Sequence, residues 1–108
     1  MPVIRIKEVD FSGAVGSRYF ADPPNQHVAK GGPIRWRNET TLTALIFWPH
    51  GNFFVDEPGP FTLELAVGET SDEFRVRADI IGTAKKLYFG AVGKKEIEGN
   101  SAPSIEVP

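Results

Sequence analysis

From the third residue onward, apolar and charged side chains take turns along the chain. In residues 3–9, VIRIKEV, Ile4 and Ile6 fall on one side of an extended backbone and Arg5 and Lys7 on the other. Residues 33–38, PIRWRN, repeat the pattern with Ile34 and Trp36 against Arg35 and Arg37. Residues 41–48, TLTALIFW, are apolar on both sides, as suits a strand in the middle of a sandwich. Phe61, Leu63 and Leu65 alternate with Thr62 and Glu64, a VGET turn follows, and Phe74 and Val76 then oppose Arg75 and Arg77. Two shorter apolar segments, KKLYFGAV and PSIEV, close the chain. The period is two throughout, and Gly, Pro or Asn interrupts it every ten residues or so. No window longer than two turns carries a helical stripe. Seven or eight short antiparallel strands in 108 residues predict an all-β Greek-key sandwich, a single domain spanning residues 1–108.

Composition narrows the chemistry. The chain has no cysteine, which excludes disulfides, zinc ribbons, thiol catalysis and iron–sulfur clusters together. No apolar run approaches the roughly 18 residues needed to cross a bilayer, so no membrane partner is expected. The formal charge of −2 gives no overall pull toward nucleic acid. The N-terminus enters a strand pattern at once and lacks the apolar core and cleavage site of a secretory signal. A cytoplasmic protein is expected, or a periplasmic one if a leader was removed and Met restored.

Several segments resemble the cupredoxins, the family of small plastocyanin- and azurin-type domains. HVAKGGPIRWRNET is similar to their basic-Gly turn leading into a strand that ends Trp-x-Asn, LELAVGETSDEFRV to their Gly-Glu turn, and GNSAPSIEVP to their closing turn and last strand. The resemblance implies the fold but not the metal. It puts the first histidine ligand about six residues after Asn38, near Ala44, and the cysteine near Gly90, and the segment after Gly90 holds neither His nor Met. A blue-copper centre needs a thiolate with two imidazoles, because the soft sulfur sets its geometry and potential. No cofactor and no copper site are therefore expected.

Catalytic readings are equally thin. Asp56-Glu57 and Asp72-Glu73 are carboxylate neighbours that point in different directions on an extended chain, which suits turn solvation better than an acid/base pair. The serines lie outside any Gly-x-Ser-x-Gly elbow, and the Gly31-Gly32 turn precedes a strand and not a helix. The protein is read as a non-enzyme.

Residues 43–61, TALIFWPHGNFFVDEPGPF, hold five aromatic side chains and His50. Strict alternation separates Ile46 and Trp48 from Leu45 and Phe47, and Phe53 and Phe54 follow a Pro-His-Gly-Asn turn expected at the surface. Sandwich core, a partner or self-association patch, and sugar stacking on Trp48 are the three readings. Trp48, His50, Phe53 and Phe54 are the candidate contacts, and a homodimer through an edge strand or this face is expected. A second candidate surface is electrostatic. The resemblance makes the first, Trp-x-Asn and post-turn strands neighbours in one sheet, which would line up Arg5, Lys7, Arg35, Arg37, Arg75 and Arg77. Such a stripe either docks an acidic partner or is neutralised by Glu8, Glu39, Asp72 or Asp79. The function expected is a metal-free interaction module for a protein partner, a second copy included. The alternative is a redox accessory that docks to a copper-handling or electron-transfer partner without binding copper itself.

Overall fold

The computed structural model describes residues 2–11, 16–97 and 102–108, so Gly99, Asn100 and Ser101 of the expected closing turn lie outside the described residues. Within them the chain is all-β. Eleven strands run β1 (Val3–Phe11), β2 (Gly16–Asp22), β3 (Asn25–His27), β4 (Pro33–Asn38), β5 (Ala44–Trp48), β6 (Phe61–Leu65), β7 (Phe74–Arg75), β8 (Ala84–Leu87), β9 (Phe89–Val92), β10 (Lys95–Glu96) and β11 (Ser104–Val107). They form three sheets in the orders β2-β1-β4-β7, β10-β9-β5-β6 and β3-β11-β8. Most pairings are antiparallel, but β1 runs parallel to β4 and β11 parallel to β3.

The count exceeds the expected seven or eight because β2, β3 and β10 lack a clean two-residue period and one long segment is split. In β2 the run Tyr19-Phe20-Ala21 is apolar on both parities, although only Tyr19 and Ala21 point inward. The segment KKLYFGAV divides at Tyr88, whose N–H donates to the Pro103 carbonyl between two different sheets.

The core follows from the alternation. Ile4, Ile6, Ile34 and Trp36 of the first sheet meet Ala44, Ile46, Trp48 and Leu65 of the second, and Ile105 and Val107 of β11 join them, all buried. Trp36 lies among the core rings, with centroids 6.3 Å from Trp48, 6.2 Å from Phe54, 5.6 Å from Phe74 and 5.7 Å from Tyr88. Each such indole buries on the order of 150–250 Å² and stabilises by a few kcal/mol. Trp36 Nε1, Trp48 Nε1 and the Tyr88 hydroxyl are buried here without a hydrogen-bond partner among the described residues. Burial pushes the Tyr88 hydroxyl's pKa up.

Asn38 ends β4 and ties three segments together. Its Nδ2 donates to the carbonyls of Leu42 (2.8 Å), Leu65 (3.0 Å) and Ala66 (3.3 Å), and its Oδ1 accepts from the Thr40 N–H (2.9 Å) and hydroxyl (2.7 Å). The Gly-Glu turn docks on the same residue. Gly68, at φ +78, donates its N–H to the Asn38 carbonyl, and the Glu69 carboxylate accepts from the Ala66 N–H at 2.8 Å. Asn38, the polar end of the Trp-x-Asn strand, is thus fully buried under a turn whose own residues face solvent.

Gly51 and Asn52 of the Pro-His-Gly-Asn turn are exposed as expected, but Phe53 and Phe54, which follow it, turn inward. Asn52 and Asp56 take left-handed backbone angles, φ 56 and φ 65, that fold the loop back on itself. The Phe53 carbonyl accepts from the Arg77 N–H at 3.0 Å, the Val55 N–H donates to the Arg75 carbonyl at 2.8 Å, and Phe54 bridges Val76. The loop therefore runs as an extra rung beside β7. That inserts Phe53 and Phe54 into the aromatic core, where they are 3% and 1% exposed.

Candidate functional site

Strand parity decides which aromatic residues face solvent. In β5, Ala44, Ile46 and Trp48 are fully buried, and Leu45 and Phe47 face outward, 40% and 43% exposed. Trp48, Phe53 and Phe54 are therefore corrected from candidate contacts to core, and sugar stacking on Trp48 goes with them. Their rings fill the space beneath Trp36, and no partner reaches them. His50 sits at the rim of this cluster, edge-on to Trp48 at 5.1 Å, and its Nε2–H donates to the Leu87 carbonyl at 2.6 Å. That bond places the ring proton on Nε2.

The outward face of the second sheet takes the place of the expected patch. Phe47 of β5 stands directly opposite Phe89 of β9, and Leu45 opposite Ala91. Phe89 is 52% exposed, so two phenyl rings and a leucine form one contiguous apolar strip across adjacent strands. Thr62 and Glu64 of β6 flank it on one side and Glu96 of β10 on the other. A groove of about 1010 Å³ runs over this strip toward the edge of β2, where Arg18 and Lys95 line it, and the Lys95 ammonium donates to the Ser17 carbonyl at 2.9 Å. Alternation alone signalled that Leu45 and Phe47 share a face; what it lacked was the loop that buries the other one.

The charged face is assembled as expected, and its cations are laced with acids. β1, β4 and β7 are neighbours in one sheet, and Arg5 pairs in register with Arg37, Pro33 with Arg75. Arg5, Lys7, Arg35 and Arg37 alternate with buried Ile4, Ile6, Ile34 and Trp36, and exposed Arg75 lies between Phe74 and buried Val76, so they point away from the core, and Arg77 lies just past β7. Glu39 accepts from Arg5 at 2.6 Å and sits 3.4 Å from Arg37, Lys7 meets Asp22 at 2.9 Å, Arg75 meets Glu73 at 3.0 Å, and Arg77 meets Asp79 at 2.7 Å. Arg35 donates to the Ser71 carbonyl at 3.1 Å. Glu39 and Asp79 act as anticipated, while Asp22 and Glu73 stand in for Glu8 and Asp72. Glu8 instead accepts from Thr41 and Ser17, and the Thr41 backbone N–H, then its hydroxyl, hold the carboxylate's pKa below its usual value. The result is a mixed polar surface in which each of the six cations meets a carboxylate or a backbone carbonyl.

Neither position that the resemblance matches to a copper ligand can serve. Ala44 is fully buried between Leu65 and Val92. Gly90 has Ile97 packed against it, and a Cβ there would press on the Ile97 side chain and lie 3.1 Å from the Leu45 carbonyl. Its lack of a side chain is what lets Ile97 close over the strand. Among the described residues, no three His, Cys, Asp or Glu side chains gather in one place, and no helix is long and apolar enough to cross a membrane. Compared with known protein families and with curated proteins, the chain matches none.

Proposed function

We propose that the chain is a non-enzymatic binding module of cupredoxin-like Greek-key topology, without the family's copper centre, that engages a protein partner through the outward face of its second sheet. The neighbouring of β1, β4 and β7 supports the topology. The observation that carries the surface is the Phe47–Phe89 pair, held in register on two central strands and left half exposed beside Leu45. Rigid aromatic side chains of this kind are enriched where proteins meet, and solvated polar faces do not need them. A standard interface takes about 800 Å² from each partner, more than these side chains supply, so the contact extends onto the polar rim of Thr62, Glu64 and Glu96. A second copy of the chain is one partner this face accommodates.

The test compares the wild type, the double variant Phe47→Ser/Phe89→Ser, and Arg35→Glu/Arg75→Glu as a charge-face control. Light scattering across a concentration series reads self-association, and affinity capture from the native cell reads other partners. Association kept by the control and lost by the double variant supports the reading. An association indifferent to the double variant overturns it.

A further inference from the structure

The outward face of the third sheet holds a constellation that the interaction surface does not use. Asn25 and His27 are two residues apart on β3 and so point the same way, and the parallel register places Ser104 beside Asn25 and Glu106 beside His27. Asn25 Nδ2 lies 3.2 Å from His27 Nε2 and 3.2 Å from Glu106 Oε1, and His27 Nε2 lies 3.9 Å from Glu106 Oε2. Ser104, itself buried, donates its hydroxyl to Asn25 Oδ1 at 2.7 Å and fixes the amide from behind.

We propose that Asn25, His27 and Glu106 form an open three-donor site for a borderline divalent transition-metal ion such as zinc or nickel. Donors about 2.1 Å from a tetrahedral ion stand roughly 3.4 Å from one another; the Asn25–His27 separation of 3.2 Å is close to that, and Glu106 reaches Asn25 through Oε1 at 3.2 Å and His27 through Oε2 at 3.9 Å, so its carboxylate spans the two. Turning the Asn25 amide over puts Oδ1 where Nδ2 now lies, and Ser104 then accepts from Nδ2, so the second contact survives the exchange. The set is one imidazole, one carboxylate and one amide oxygen, which suits a borderline ion better than a soft one. His27 and Glu106 are partly exposed, which leaves the remaining coordination positions to water. Lys85 of β8 pairs in register with Glu106 from the other side, and its ammonium repels an incoming cation. The site is separate from the positions matched to copper ligands and independent of the Phe47–Phe89 surface.

Zinc or nickel chloride titrated into the full chain, followed by calorimetry and by proton–nitrogen NMR, tests this. One ion per chain is expected, with shifts centred on the His27 ring and on the backbone of β3 and β11. Removing a direct ligand should cost at least as much as removing a supporting one, so His27→Ala and Glu106→Gln should each weaken binding about tenfold or more. Lys85→Gln should tighten it, and His50→Ala should leave it unchanged. The wild-type shift map stands by itself if a variant fails to fold. Absence of saturable binding, shifts centred on His50, or undiminished binding by His27→Ala would each overturn the assignment.

Discussion

Asn38 offers the most direct measurement of how the fold is held. Replacing it with Ala removes five hydrogen bonds, but not all the partners lose everything. The Leu42 carbonyl keeps the Thr40 hydroxyl at 2.8 Å, and the Ala66 carbonyl keeps the Glu69 N–H at 2.9 Å. The Thr40 N–H loses the acceptor it has, and the Leu65 carbonyl loses a donor, both in a region closed to water. Two buried polar groups orphaned at about 1–3 kcal/mol each give roughly 2–6 kcal/mol for Asn38→Ala, a large part of the stability of a domain this size. Asn38→Asp keeps the shape and the Thr40 bonds but aims a carboxylate at three carbonyls, so it should cost more than Ala despite being the closer isostere. Equilibrium urea unfolding of both variants, with midpoint and slope fitted separately, reads the two costs. An Ala variant that loses less than about 1 kcal/mol, or an Asp variant more stable than Ala, would refute the reasoning.

Tyr88→Phe removes a buried hydroxyl with no partner among the described residues, so it should be neutral or stabilising in the same assay. A loss above about 1 kcal/mol would mean that the hydroxyl is hydrogen-bonded after all. Trp48→Ala should cost about 3–5 kcal/mol because the ring is fully buried, while Phe47→Asp, one position away and outward, should shift the melting transition little. Equal effects would mean that the faces of β5 are misassigned. Glu8 is held as a carboxylate below its ordinary value of 4.5, so its contribution is present above that pH and is lost as the pH falls through the lowered folded value. Glu8→Gln should therefore be less stable at neutral pH and flatten the acid side of the stability profile; an unchanged profile would contradict this.

Legibility in the sequence followed from whether burial and alternation coincide. Residues 33–38 were readable to the residue because Ile34 and Trp36 point into the core and their neighbours are charged. β5 was readable as a strand but not as a choice of faces, since ALIFW is apolar on both parities. The deciding fact was non-local. Phe53 and Phe54 belong to a loop without periodicity, and only its pairing with residues 75–77 turns them inward. β3 and β10, three and two residues long, are too short to carry a pattern and exist because β11 and β9 supply their partners. The charged stripe was legible in position, yet the identity of its counter-ions depended on how the chain bends at Asp22 and Glu73. The Asn25, His27 and Glu106 cluster was not legible at all, because 79 residues separate its two strands.

The parallel pairing of β11 with β3 also fixes an order of events during synthesis. Among the described residues β3 pairs with β11 alone, and β8 joins the third sheet through β11. Residues 25–27 therefore emerge from the ribosome long before the strand that completes them, and the segment waits with its edge unpaired until residues 104–107 follow. The first sheet has all its strands by residue 75, whereas the third is completed only when residues 104–107 have been made, so the β3 edge is the one left open longest in the growing chain.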